Sequence, residues 1–231
     1  MLTLGPYTRD LILIGGGHAH ALVIKAWGMD PLPGARLTVI NPGPTAPYTG
    51  MLPGYVAGHY KRDELEIDLV RLCRHAGARL ILDKVIDINQ SRREVTLESR
   101  GTLAYDIASI DVGITAKLNV LGFADYGIGA KPLNMYADRW RSFLAQAVKG
   151  QSASDVAVIG GGIAGCELAM AMAFALRAVG ISPRVTVIES GKQITGVGGK
   201  ARQRILMAMS DLGIVVKTSA KVVEVLSDQV L

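Results

Sequence analysis

Thiols are scarce in this sequence. Among 231 residues only Cys73 and Cys166 carry one. Neither stands in a CxxC or CxxxxC pair, so no disulfide framework and no cysteine-based zinc site can be built, and no metal site is expected. Such usage fits a reducing, cytoplasmic setting. Residues 1–10, with Gly5, Pro6 and Arg9, hold no apolar core of a secretory signal. Aromatic residues make up 5% and the basic residues are scattered under a formal charge of +5. That pattern excludes a nucleic-acid face, which needs clustered cations with interleaved aromatics. No long apolar run is left unbroken. The stretch 156–181 holds only Glu167 and Arg177 as charges, but Gly160-Gly161-Gly162 divides it into pieces too short to cross a bilayer. No Ser/His/Asp set or carboxylate pair suggests a hydrolase.

Glycine is what the chain has in excess, 27 residues against a usual share of about 7%. Two clusters stand out. Leu11-Ile12-Leu13-Ile14 leads into Gly15-Gly16-Gly17-His18-Ala19-His20, and Val156-Ala157-Val158-Ile159 leads into Gly160-Gly161-Gly162-Ile163-Ala164-Gly165. Each is a short apolar run, a glycine turn and a helix-length apolar segment, the order of a strand, a tight turn and a helix. The first continues as a helix over about 18–27, breakers at Pro31, Pro33 and Gly34, and a strand over 36–40. A loop rich in breakers follows, with Pro42, Pro44, Pro47 and Pro53, and a loop of that length is often functional.

Helical spacing recurs over 68–77, and strands are expected at 78–82, 85–88, 94–97 and 106–112. Residues 84–105 read as a hairpin insertion turning at Asn89-Gln90-Ser91. Residues 113–131 read as a crossing, after which Asn134 is placed to cap a helix reaching about 148. The second copy repeats the grammar: strand 156–159, helix 163–179, strand 184–188, helix 200–212, strands 214–217 and 222–226. The end at Val230-Leu231 reads as a sheet cut in mid-hairpin, as in a truncated polypeptide. The fold class is therefore α/β, two tandem Rossmann-like units, with 1–125 the first and 126–231 the second.

A helix N-terminus carries partial positive charge on outward amides, and a phosphate reaches them only where no side chain blocks it. In the second copy Gly160, Gly162 and Gly165 complete GxGxxG. Glu189, ending the next strand, is placed to accept from both ribose hydroxyls and to repel a 2′-phosphate, which favours NADH over NADPH. Arg184, placed near the ribose end, keeps NADPH open. In the first copy Gly15 and Gly17 match, but His20 replaces the third small residue and Asn41 replaces the acid. His20 must point away from the sheet or sit in a wider helix–strand gap. His18 and His20 face apart on a helix and cannot chelate together. His18 could donate to a phosphate or be an ordinary turn histidine. Cys166 reads as a small packing residue. Glu167, one turn into an apolar helix, either sits over the nicotinamide end or reaches solvent, and Asp111 is a similar isolated charge.

The sequence resembles the pyridine nucleotide-disulfide oxidoreductase superfamily through the order and spacing of both glycine turns. The strings Gly15-Gly16-Gly17-His18-Ala19-His20 and Pro47-Tyr48-Thr49-Gly50-Met51-Leu52-Pro53-Gly54 resemble a subgroup related to type II NADH dehydrogenases. That subgroup includes the oxidoreductase domain fused ahead of selenide, water dikinase. The resemblance implies FAD at the first turn, with Gly15, Gly17 and Ala19 at the pyrophosphate and Asn41 at the adenosine ribose. It places Val85 toward the adenine and Tyr48 toward the flavin ring. Asp111-Val112-Gly113 stands at the family's Ala-Thr-Gly crossing, which brings Gly113 near FAD. It implies NAD(P)H at Gly160, Gly162, Ile163, Gly165, Glu167 and Glu189. The paired cysteines of the disulfide reductases are absent, so thiol–disulfide chemistry is not expected. The late Gly-Asp segment that closes the family's FAD domain is not reached, so both units are expected to be incomplete at their C-terminal side.

These readings converge on an FAD-dependent NAD(P)H oxidoreductase passing hydride from nicotinamide to flavin and electrons to a small acceptor such as a quinone. No side-chain acid or base is required, and no catalytic residue is nominated. The full-length protein is expected to be cytoplasmic or peripheral to the inner face of a membrane, and a homodimer is compatible with it. The alternative is an inactive nucleotide-binding or sensor module, partnered with selenophosphate synthesis.

Overall fold

The computed structural model describes residues 7–114 and 118–231. The start of the N-terminal segment and part of the crossing expected at 113–131 lie outside the described residues. In chain order the elements are β1 (Arg9–Ile14), α1 (His18–Met29), β2 (Ala35–Asn41), β3 (Thr45–Pro47), α2 (Leu52–Val56), β4 (Glu66–Asp68), α3 (Leu69–Ala76), β5 (Arg79–Leu82), β6 (Val85–Asn89), β7 (Glu94–Leu97), β8 (Gly101–Ala104), β9 (Ile107–Ile110), α4 (Phe123–Tyr126), α5 (Leu133–Val148), β10 (Val156–Ile159), α6 (Ile163–Ala178), β11 (Val185–Ile188), α7 (Gly199–Asp211) and β12 (Val215–Lys217). They form two compact units: residues up to Tyr48 with Asp63–Ile114, and Thr49–Arg62 with the described residues from 118 on.

The first unit is built on a parallel sheet in the order β5-β2-β1-β9. Leu11 lies opposite Leu37 on one side and Ile107 on the other. Strands buried on both faces read as continuous apolar runs, and both faces are used here. Leu13, Leu37 and Val39 pack with Ile24 of α1 and Cys73 and Ala76 of α3. Ile12, Ile14, Ile40 and Ile81 pack with Val95 and Leu97 of β7. The expected hairpin insertion is a three-stranded antiparallel sheet, β6-β7-β8, because Gly101 at φ +77° returns the chain for a third strand. Helix α3 is set locally at both ends. Asp68 accepts from Arg71 N–H (2.9 Å), and Gly77 closes it in the left-handed conformation.

The second unit repeats the parallel arrangement as β10-β11-β12, with Val158 opposite Val187 and Val187 opposite Val216. Its core joins Cys166, Ala169 and Ala173 of α6 to Val185, Val187, Ile194, Met209 and Ile214. The breaker-rich loop is more ordered than its prolines suggested. Pro53 falls in the first turn of α2, where a missing N–H is harmless. Segment 49–62 clusters with the second unit because α5 holds it. Trp140 Nε1–H donates to Val56 O (3.1 Å) and Tyr55 O–H to Ala137 O (3.2 Å). Asn134 does not cap α5. Pro132 holds the cap position, and Asn134 Oδ1 accepts from Arg62 Nη2 (2.8 Å). The expected strand at 222–226 is reduced to isolated bridges, Leu121 with Glu224 and Val225 with Val230. Among the described residues, no helix is long and apolar enough to cross a membrane.

Candidate functional site

Two strand–turn–helix junctions form the candidate sites, one in each unit. In the second, Gly160 (φ +104°) turns the chain out of β10 and α6 starts at Ile163 with Gly162 as its N-cap. The junction is closed from beneath by Gly165. A Cβ there would overlap the Gly160 carbonyl oxygen, so only glycine lets α6 lie this close to β10. Among the described residues, a Cβ placed on Gly162 would meet nothing within 4 Å. Ile163, Ala164 and Glu167 are exposed beside it.

Glu189 lies just past β11. Its Oε2 accepts from Gly161 N–H (2.7 Å) and its Oε1 from Gly191 N–H (2.7 Å) and Ser190 Oγ (3.2 Å). The Gly191 and Gly161 amides hold its carboxyl below the usual glutamate range. The acid thus braces the glycine turn while remaining partly exposed. Arg184 stands before the opposite end of β11 and pairs with Asp155. The sequence reading sets Arg184 beside Glu189, but the length of β11 separates the two. Cys166 is buried against Gly161 O (3.5 Å), and burial raises its thiol, which suits packing and not nucleophilic chemistry.

In the first junction Gly15 (φ +88°) makes the corresponding turn. Asn41, the last residue of β2, takes Glu189's bracing part. Its Oδ1 accepts from Gly16 N–H (3.0 Å), and its Nδ2 donates to Gly43 O (2.8 Å) and Thr45 O (3.1 Å). Both amide hydrogens are spent on the loop, so only Oδ1 keeps acceptor capacity for a ribose hydroxyl. His20 resolves the expected conflict by filling the helix–strand gap. It is 3% exposed, with Nδ1 2.7 Å from Gly15 O and Nε2 2.9 Å from Ser109 Oγ. The carbonyl can only accept, so Nδ1 carries hydrogen, and a neutral ring accepts at Nε2 from the serine hydroxyl. His18 is exposed and meets Tyr48, ring centroids 5.8 Å apart, which brings Tyr48 to the rim. Val85 packs under the sheet beside Ile81 and Val95. Gly113 is exposed at φ +73°.

Sequence reasoning missed the central feature of this junction. Asp111 Oδ2 accepts from Ala19 N–H (3.1 Å) and His20 N–H (3.3 Å), and its main-chain oxygen accepts from Gly17 N–H (3.3 Å). The amides that open α1 therefore already hold an oxyanion, which shows that they fit one. A charge closing an otherwise apolar stretch was the available signal. The partner, 92 residues away in sequence, was not.

Residues 9–231 match the pyridine nucleotide-disulphide oxidoreductase family. The chain belongs to this family. Among relatives of this oxidoreductase family member, demethylphylloquinone reductase NdbB of Synechocystis sp. is 30% identical over 178 residues, covering 72% of this chain and 42% of the relative. Similar folds occur in the sulfide:quinone oxidoreductase of Aquifex aeolicus, with TM-score 0.79, 18% identity and coverage of 96% of this chain and 54% of that one. NDH2 from Plasmodium falciparum in complex with NADH gives TM-score 0.76, 16% identity and coverage of 96% and 50%. The chain thus spans about half the length of the relatives it matches. Its mixed α/β architecture with parallel sheets is that of the family.

Proposed function

We propose that the full-length protein is an FAD-dependent NAD(P)H oxidoreductase that delivers electrons to a small acceptor, a quinone by preference. Residues 1–125 hold FAD and residues 126–231 hold NAD(P)H. One observation carries the reading: each unit presents amides at a helix N-terminus over a glycine turn, braced from the end of the next strand by Asn41 or Glu189. Gly160, Gly162, Ile163 and Gly165 approach the nucleotide phosphates. Glu189, with one acceptor position of its carboxylate left over, takes the ribose and disfavours a 2′-phosphate, so NADH is preferred. Gly15, Gly17, His18 and Ala19 face the flavin phosphates, with Tyr48 at the rim, Asn41 and Val85 lie toward the adenosine, and Gly113 stands where the chain crosses near FAD. A bound flavin supplies the hydride acceptor, and the protein supplies position and electrostatics. The quinone assignment is supported by the relative named for demethylphylloquinone reduction.

The visible spectrum of purified full-length protein tests this. A flavin band near one equivalent, bleached by anaerobic NADH, is expected. No flavin after added FAD rejects the reading. A second reading is a nucleotide-binding module without turnover, and the Asp111 carboxylate over the first junction favours it. NADH binding by calorimetry without bleaching would select it.

A further inference from the structure

We propose that Asp111 is a built-in competitor for the phosphate seat of the first junction, and that an anionic ligand enters only by displacing its carboxylate. The ligand's identity rests on the FAD reading above, while the competition itself does not. The geometry is direct. The carboxylate accepts from Ala19 and His20 N–H, two of the amides a dinucleotide phosphate would use. A Cβ on Gly17 would overlap the Asp111 carboxylate, so the carboxylate fills the space that the glycine leaves for a ligand. The partial positive charge of a helix end is about half an elementary charge. It offsets only part of one anion, so a carboxylate and a pyrophosphate held there together would repel each other.

The same residue is arranged so that its side chain can leave without the fold yielding. Asp111 N–H donates to Ile14 O (2.8 Å) and its main-chain oxygen accepts from Gly17 N–H (3.3 Å). The backbone is pinned to β1 and to the turn, while the side chain is partly exposed and can rotate about its own bonds. The second junction has no counterpart among the described residues, since a Cβ on Gly162 meets nothing within 4 Å. Asp111 therefore stabilises the flavin-free protein by capping α1 and weakens anion binding at the same place. These two effects have opposite signs, which a residue of purely structural importance would not produce.

The test uses full-length protein freed of flavin, as wild type, Asp111→Asn and Asp111→Ala. Asn keeps an acceptor without the charge and guards against a variant that fails to fold. Three quantities are measured: the melting temperature, the FAD dissociation constant by fluorescence quenching, and the shifts of the Ala19 and His20 amide resonances on titration with inorganic pyrophosphate. Asp111→Ala is expected to lower the flavin-free melting temperature by roughly 4 °C, as loss of a helix cap does. Both FAD and pyrophosphate are expected to bind about tenfold more tightly, the effect of removing one like charge at contact distance. Asp111→Asn should tighten binding with a smaller thermal loss, and NADH affinity should not change in either. Unchanged or weaker pyrophosphate binding in both variants overturns the proposal. Tighter pyrophosphate binding with no FAD binding in any form supports the competition and rejects the FAD reading. FAD binding indifferent to both substitutions keeps that reading and rejects the competition.

Discussion

The two junctions solve one problem with different residues. Each must bring a helix N-terminus against the end of a parallel strand and brace the turn between them. The second does it by subtraction. Gly165 removes a side chain so that α6 can lie on Gly160, and a charged brace, Glu189, holds Gly161. The first does it by insertion. His20 fills the gap with an imidazole bonded at both nitrogens, a neutral brace, Asn41, holds Gly16, and a carboxylate from beyond β9 satisfies the amides of α1. A dinucleotide cradle is thus a set of backbone amides in a fixed place. The side chains that hold them there are interchangeable, and the choice decides whether the seat is ready for a ligand or already taken.

Substitutions that swap one solution for the other give the largest effects. Gly165→Ala puts a methyl group into the Gly160 carbonyl, where only backbone movement could relieve it. About 3 kcal/mol of stability should be lost, read by denaturant unfolding, together with NADH binding. If Gly165→Ala is tolerated, close packing is not what distinguishes the second junction. Asn41→Asp gives the first junction the charged brace of the second. It removes both donors to Gly43 and Thr45 and sets a carboxylate facing their carbonyls. A loss of about 2–3 kcal/mol is expected, and a silent substitution would mean that the loop and not the residue braces the turn.

His20→Ala leaves an unfilled gap and frees Gly15 O and Ser109 Oγ, costing about 2 kcal/mol, with β9 showing faster amide exchange. The smallest effect is Glu189→Gln, about 1 kcal/mol, and under the proposed function a shift in coenzyme choice from NADH toward NADPH. The charge also makes one junction sensitive to acid. The folded carboxyl is held low, so its contribution is complete above the ordinary glutamate value of about 4.3 and is lost as pH falls through the lower folded value. Exchange at Gly161 and Gly191 should quicken over that range while Gly16, held by an amide, does not respond. Equal responses would erase the distinction.

The elements that were legible in sequence are those set by neighbours along the chain. The strands at β1 and β10, the helices that follow them and the end of α3 at Gly77 all answer to local periodicity and turn chemistry. The structure departs from the local pattern where the partners lie far along the chain. Asn134 looks like a cap because of its position in a helical pattern, yet Arg62 claims it. The breaker-rich loop holds no long helix, as its prolines require, but that α5 fastens its continuation through Trp140 and Tyr55 has no local signal. The strand at 222–226 is apolar enough, but isolated bridges leave it without a continuous ladder. The sequence marks His20 as a misfit in the glycine pattern but carries no sign of Ser109.

The amino-acid sequence by itself determined two strand–turn–helix junctions and hence the family architecture. Apolar periodicity and glycine spacing act over a few residues, and any chain with this order must place amides at those two helix ends. Only the tertiary structure decided what those amides meet. A helix N-terminus accepts whichever oxyanion the fold delivers. The fold delivers Asp111 to one through a contact between segments that no local pattern connects, and among the described residues it leaves the space over Gly162 open at the other.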